Sequence, residues 1–319
     1  MKGEFDFITR HFRPLAGEES LDLRDDCALI PFASKFSGQE IAVSTDTMVE
    51  NVHFLPSDPP YTLGKKLLRC NLSDLAAMGA SPYAYTLNVT VPKLDKYNDA
   101  WFQDFSRGLK EDQSFYDIHL IGGDTTSTSG PLVLSATIFG TVPQGQALRR
   151  NTAQIGDSLW VTGTIGDAAL GLLALQSKIP DPTGFLTQRY RLPEPKTTLK
   201  LNTIVNAAMD ISDGLLQDSQ HLSHESGVFI SIWPHKVPRS QAARKLGNEW
   251  LELCLTGGDD YELLLACSPS NEKALQHECL EKNVQITKIG YMASGQGVRL
   301  LNEADQTIPF PKRLGWQHF

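Results

Sequence analysis

The sequence predicts an α+β protein of two domains, and three observations carry that prediction. At 319 residues the chain exceeds the roughly 100–200 residues of a usual single domain. Stretches of apolar–polar alternation are interspersed with stretches of helical spacing along its whole length. A new strand pattern beginning near Gly156, followed by a connection containing Pro180, Pro182, Pro193 and Pro195, opens a second block. Domains of residues 1–150 and 151–319 are therefore expected.

The elements follow in order. IAVST from Ile41 reads as a short strand that runs out into Ser44, Thr45 and Asp46, side chains that readily end a strand. TLGKKLLRCNLSDLAAMGA has helical spacing and is stopped by Gly79 and then Pro82. AYTLNVTVP alternates as a half-buried strand, NDAWFQDFSRGLKEDQSF is an amphipathic helix, HLIGG is a short strand, and LVLSATIFGTV alternates again. In the second block SLWVTG leads through Gly166 into the apolar helix DAALGLLALQSK. Helices then alternate with the strands VFISIW, YELLLACS, QITKIGYM and GVRLLN.

Composition narrows the function classes. Hydrophobic content of 41% with 21% charged residues is that of a globular chain and not of a disordered one. A net charge of -8 argues against nucleic acid or an anionic membrane surface as the main partner. The five cysteines, Cys27, Cys70, Cys254, Cys267 and Cys279, are odd in number and scattered, so a reduced, cytoplasmic protein is expected, without disulfide framework or zinc site. MKGEFDFITRHF has no continuous apolar region and is not read as a signal peptide. The charge-free stretch Thr125 to Leu148 is rich in Ser, Thr and Gly and holds Pro131 and Pro143, a strand with its loops and no membrane span.

Acidic residues recur where elements meet: Asp25 and Asp26, Asp46, Asp74, Asp124, Asp210 and Asp213, then Asp259, Asp260 and Glu262. A turn or a helix cap explains any one of them. Six such junctions in one acidic chain suggest a common site. Asp74 lies in a strongly apolar helix on the same face as Asn71, where a carboxylate is costly unless paired with Arg69 or Lys66 or bound to metal. Carboxylates gathered from distant segments repel one another and need cations. Oxygen donors without cysteine or paired histidine select Mg²⁺ or Mn²⁺ over zinc, and Mg²⁺ commonly completes its shell with substrate phosphates. Gly122 and Gly123, and Gly163 and Gly166, could admit a phosphate or merely allow close packing. His221 and His224 fit a solvated helix face better than a metal pair, and His53 could reach a ligand. Trp316 could either dock the tail or stack on a flat ligand.

In order along the chain, DDCALI, STDTMVENVHF, NLSDLAAMGA, IGGDTT, VTGTIGD, DISDGLLQD and GGDDYELL resemble the signature blocks of the thiamine-monophosphate kinases. These belong to the aminoimidazole-ribonucleotide-synthetase-like superfamily, and the match runs from about Glu4 to the aromatic tail. The resemblance implies an N-terminal mixed α/β domain whose sheet forms a barrel across a homodimer, and a C-terminal α/β domain that completes the active site. It implies direct transfer of the γ-phosphate of ATP to thiamine monophosphate. Asp26, Ser44, Thr45, Asp46, Asp74, Asp124, Asp210 and Asp213 fall on the family's magnesium positions, with Asp46, Asp74, Asp124 and Asp210 central to catalysis. Gly123, Asp124, Arg150 and Ser212 fall on nucleotide contacts; His53, Asp259 and Trp316 fall on thiamine phosphate contacts. Asp22, Leu23 and Arg24 stand where the family usually has Gly-x-Gly, and Asp259 stands where it usually has Glu. Cys27 inside the Asp-pair block and the ending His318, Phe319 match neither the reactive N-terminal Cys of a selenophosphate synthetase nor the terminal Cys of the hydrogenase-maturation dehydratase. A non-catalytic metal or nucleotide sensor, or another ATP-dependent activity of the superfamily, is the competing expectation.

Overall fold

The computed structural model describes residues 24–25, 28–31 and 37–316. Asp22, Leu23, Asp26, Cys27, His318 and Phe319 lie outside the described residues. The N-terminal half is a five-stranded sheet in the order β1-β2-β5-β3-β4. Its strands are β1 (Ala28–Pro31), β2 (Gln39–Val49), β3 (Ser81–Pro92), β4 (His119–Thr128) and β5 (Val133–Pro143). β3 and β4 run parallel and the other neighbours antiparallel. Helices α1 (Pro60–Ala77) and α2 (Asp99–Tyr116) pack together, and Leu67, Leu72 and Leu75 of α1 share the core of this sheet with Phe105 and Leu109 of α2.

The C-terminal half is a seven-stranded sheet in the order β12-β11-β8-β10-β6-β9-β7. It is built from β6 (Ser158–Thr162), β7 (Ala207–Asp210), β8 (Val228–Ile232), β9 (Leu263–Cys267), β10 (Ile286–Ser294), β11 (Gly297–Leu301) and β12 (Thr307–Ile308). Among the described residues of this sheet only β8 and β11 pair in parallel. The helices here are α3 (Asp167–Leu175), α4 (Phe185–Arg191), α5 (Leu215–Ser226), α6 (Gln241–Leu246), α7 (Leu251–Thr256) and α8 (Glu272–Glu281). Ala76 and Ala77, at the end of α1, are packed with Trp160, Leu199, Leu265 and Leu275 of this half. Helix α1 is thus buried between both halves, which explains why its buried residues, Lys65, Lys66, Asn71 and Ser73 among them, run nearly all round it.

Three expectations about local structure need correction. β2 does not end at Ser44; it continues to Val49 because every residue from Gln39 to Val49 has a partner on β5, Asp46 opposite Ala136. β9 begins at Leu263, not Tyr261, because Tyr261 sits at φ +51, outside strand geometry. The strand HLIGG does not stop before Asp124, which lies not where elements meet but in the middle of β4, and Gly123 serves strand packing: a Cβ there would lie 1.8 Å from the Leu87 carbonyl oxygen. Among the described residues no helix is long and apolar enough to cross a membrane.

Candidate active site

Between the halves lies a cleft of about 860 Å³. From the N-terminal side it is lined by β2 (Ser44 to Met48), the turn Asn51–Leu55, and Lys66, Cys70 and Asp74, which follow one another at i, i+4 and i+8 down a single face of α1. From the C-terminal side come Asp210, Ser212, Asp213 and Asp218, the segment Thr256–Asp259, and the tail residues Arg313, Gly315 and Trp316. Asp25, Arg150, Tyr190, His221 and Tyr261 also line it.

The Ser44 hydroxyl donates to Asp74 Oδ2 at 2.5 Å, joining strand to helix. Arg69 instead bonds Asp112 at 2.6 Å, and Lys66 bonds Asp259 at 2.7 Å. Asn71 is turned away from the cleft lining, its Nδ2 donating to the Leu67 carbonyl at 2.9 Å. Thr45 lies on the opposite strand face from Ser44 and Asp46, and its hydroxyl donates to the Ala136 carbonyl at 2.9 Å.

Two loops are joined by their backbones. The N–H of Asp259 donates to Ser212 O at 2.8 Å, that of Tyr261 to Ile211 O at 2.9 Å, and that of Ile211 to Glu262 O at 2.8 Å. Gly258 permits this approach, since a Cβ on it would stand 2.4 Å from Ser212 O. Of the GGDDYELL acids only Asp259 reaches the cleft. Asp260 is buried and accepts the Gly166 N–H at 2.7 Å, while buried Glu262 accepts from Arg189 at 2.8 Å and Thr162 at 2.7 Å. Both are structural.

Asp210 is 3% exposed at the end of β7. Asp218 behind it accepts the N–H groups of Asp213 (3.2 Å) and Gly214 (3.1 Å). Burial, then the carboxylates of Asp213 and Asp210, push Asp218 well above the usual carboxylate range. Such crowding calls for a cation. The donors Ser44, Asp46, Asp74, Asp210 and Asp213 are all oxygen, which fits Mg²⁺ by chemistry. Among the described residues no three acidic, histidine or cysteine side chains converge on one point. Donors spread along a cleft wall suit an ion that keeps waters and takes substrate phosphates as further ligands.

His53 lies in the turn after β2, where its Nδ1 accepts the Val49 N–H at 3.0 Å. The neutral ring therefore carries its proton on Nε2, as a donor. The turn is fixed at both ends. Glu50 accepts from Lys96 (2.5 Å) and Tyr97 (2.6 Å), and Asp58 accepts from the Leu55 N–H (2.9 Å) and from Arg191 of the other half (2.8 Å). The Trp316 N–H donates to the Asp213 carbonyl at 2.9 Å and its own carbonyl accepts from Gln217 at 2.7 Å, so the tail is tied to the Asp213 loop. Its ring is 42% exposed at the cleft edge.

Gly123 and Asp124 stand on exposed β4 and do not line the cleft; Asp26 lies outside the described residues. His221 and His224 do not share one environment as expected. His224 is exposed, whereas His221 lines the cleft, and burial followed by the charge of Arg150 holds its imidazole down at about 4. Sequence reasoning also missed Lys66, Tyr190, Tyr261, Asp218 and Arg313 as cleft residues. For Lys66 a signal existed: it stands four and eight residues before Cys70 and Asp74, which puts all three on one helix face.

Comparison with known proteins bears on this site. Residues 24–142 match the family described as "AIR synthase related protein, N-terminal domain", and residues 154–301 match its C-terminal domain counterpart. A thiamine-monophosphate kinase of Caulobacter vibrioides is 40% identical over 99% of this chain and 90% of its own. A solved structure described as "AaThiL complexed with AMPPCP and TMP" superposes with a TM-score of 0.84 at 28% identity, covering 99% of this chain and 97% of that one. The thiamine-monophosphate kinase of Stenotrophomonas maltophilia K279a superposes at 0.78 with 37% identity, covering 92% and 94%.

Proposed function

This chain belongs to the thiamine-monophosphate kinase family, and from that premise we propose that it uses ATP to phosphorylate thiamine monophosphate to thiamine diphosphate, by direct in-line transfer. The observation that carries the reading is the acid-lined cleft itself, formed where Ser44, Asp46 and Asp74 of one half face Asp210, Ser212 and Asp213 of the other. The relative bound to AMPPCP, an ATP analogue, and TMP supports the same pair of substrates here.

Ser44, Thr45, Asp46, Asp74, Asp210 and Asp213, which line the cleft, form the proposed ligand set for Mg²⁺, which Mn²⁺ could replace; Asp26 and Asp124 join the proposal from the family resemblance alone. When bound, the metal supplies the positive charge that lets two polyanions approach. Ser44 orients the Asp74 carboxylate through their shared hydrogen bond. Arg150 and Ser212 of the cleft are assigned to the nucleotide, with Gly123 and Asp124 of β4 added from the family resemblance alone, and His53, Asp259 and Trp316 to the acceptor. A phosphate oxygen is already ionised at neutral pH and needs no general base, in keeping with His53 presenting a donor at Nε2. Positioning and electrostatics then supply most of the acceleration.

The proposed domains are residues 1–150, carrying metal and nucleotide ligands, and 151–319, completing the site. The proposed assembly is a homodimer in which the N-terminal sheets form one barrel through β4, whose Leu120 and Ile121 are 48% and 53% exposed. Cytoplasmic residence suits the free thiols of Cys70, Cys254, Cys267 and Cys279.

A product assay with ATP, Mg²⁺ and either thiamine monophosphate or free thiamine tests the reading. Thiamine diphosphate should form from the monophosphate, and free thiamine, whose hydroxyl needs a base, should be a very poor acceptor. Comparable phosphorylation of thiamine, or no diphosphate under any metal condition, would favour a sensor or another superfamily activity.

A further inference from the structure

Lys66 is 3% exposed and yet borders the cleft. It extends from α1 of the N-terminal half to two residues of the C-terminal half. Its Nζ donates to Asp259 Oδ2 at 2.7 Å and lies 3.9 Å from the centre of the Tyr190 ring. Burial pulls the amine's pKa down, but the Asp259 carboxylate more than reverses this and holds the ammonium above its ordinary value. Asp259 is itself unusual. It sits at φ +70, a conformation uncommon for a residue with a Cβ, and is held there by the bond from its N–H to Ser212 O.

With Oδ2 fixed by Lys66, the other oxygen, Oδ1, has one long approach, from the Tyr261 hydroxyl at 3.4 Å. A side chain with two torsions, anchored through its backbone and one oxygen, has a second oxygen of fixed direction. Ion pairing also offsets its charge, so it acts as a hydrogen-bond acceptor more than as an anion.

We propose that Lys66 is a positioning residue for the acceptor substrate: it holds Asp259 across the domain seam so that Oδ1 accepts a hydrogen bond from the amino-bearing heterocycle of that substrate. The inference rests on the kinase reading above. Nothing in it concerns the nucleotide, and this separates it from a general role in stability.

The test is steady-state kinetics on the full chain, with a thermal melt of each variant. Lys66→Met keeps the stem over Tyr190 and removes the charge. It should raise KM for thiamine monophosphate by about tenfold or more, with kcat and KM for ATP within about threefold. Lys66→Arg should recover part of the loss. Asp259→Asn should show the same shift, and adding Lys66→Met to it should change KM little further, since both act through one oxygen. Equal rises in the two KM values, a fall in kcat alone, or additive effects would overturn the proposal. If Lys66→Met does not fold, Asp259→Asn decides alone, and an unchanged KM for thiamine monophosphate refutes it. If the wild type makes no diphosphate, the kinase reading has failed instead. Calorimetric titration with thiamine monophosphate then decides, equal affinity of wild type and Asp259→Asn refuting the inference.

Discussion

Ser44 and Asp74 share a 2.5 Å hydrogen bond between a strand and a helix that the chain separates by thirty residues. Replacing a carboxylate by an amide at Asp46 or Asp74 keeps size and removes charge, so it tests electrostatics with little effect on packing. Asp46→Asn and Asp74→Asn should each lower kcat at least about a hundredfold, roughly 3 kcal/mol of lost stabilisation, in variants whose melting matches the wild type. Unchanged turnover at saturating Mg²⁺ would remove both from the proposed machinery. At this scale the acids of the cleft were legible because a carboxylate in apolar surroundings is conspicuous in sequence. His221 was not, since a histidine on a helix is ordinary until its surroundings are known, and for Lys66 the spacing to Asp74 was readable but not its partner Asp259, 193 residues away. Asp260 and Glu262 were legible as acids but not as structural ones. Their partners, the Gly166 N–H and the side chains of Arg189 and Thr162, are far away in sequence.

The strand β2 and the turn after it show what an element adds. Hydroxyl and carboxylate side chains in STDT suggested a strand end, but pairing with β5 overrides that local preference as far as Val49. The turn that follows is anchored at its start by Glu50. Burial would raise this carboxylate, yet hydrogen bonds from Lys96 and Tyr97 outweigh burial and leave it below its ordinary value of 4.5. A depressed carboxylate stabilises the fold above its unfolded value and loses that contribution as pH falls through the folded one. The melting temperature should therefore drop as pH is lowered from about 4.5, and less steeply in Glu50→Gln. At neutral pH the same variant should be less stable by about 2 kcal/mol, through loss of charge-assisted bonds. Denaturant unfolding at pH 7 and pH 4 measures both. Parallel slopes would mean that Glu50 does not set the acid response.

Across the whole molecule, the longer strands and helices were legible from periodicity, whereas the short strands β1, β7 and β12 and the direct succession of β10 and β11 were not; nor was the seam, because its contacts join residues far apart, such as Arg191 with Asp58 and Asn202 with Gly79. Two predictions belong here. Removing divalent metal with a chelator should abolish activity; Mg²⁺ or Mn²⁺ should restore it, and Zn²⁺ or Ca²⁺ alone should not. Full activity in metal-free buffer would refute the proposed ligand set. Sedimentation should give the mass of two chains, and Ile121→Lys on exposed β4 should shift it towards one. A single-chain mass for the wild type would refute the barrel.

Helix α1 places Leu72 and Leu75 in the core of one sheet and Ala76 and Ala77 in the core of the other. Melting the N-terminal core strips the helix of most of its packing, and melting the C-terminal core uncovers its last turn, so unfolding of either half exposes apolar surface that belongs to the other. The two sheets should therefore unfold in one cooperative transition, seen as coincident far- and near-ultraviolet melting curves. A fragment cut near residue 150 should recover native near-ultraviolet dichroism on neither side, because the halves are separable in topology and inseparable in stability.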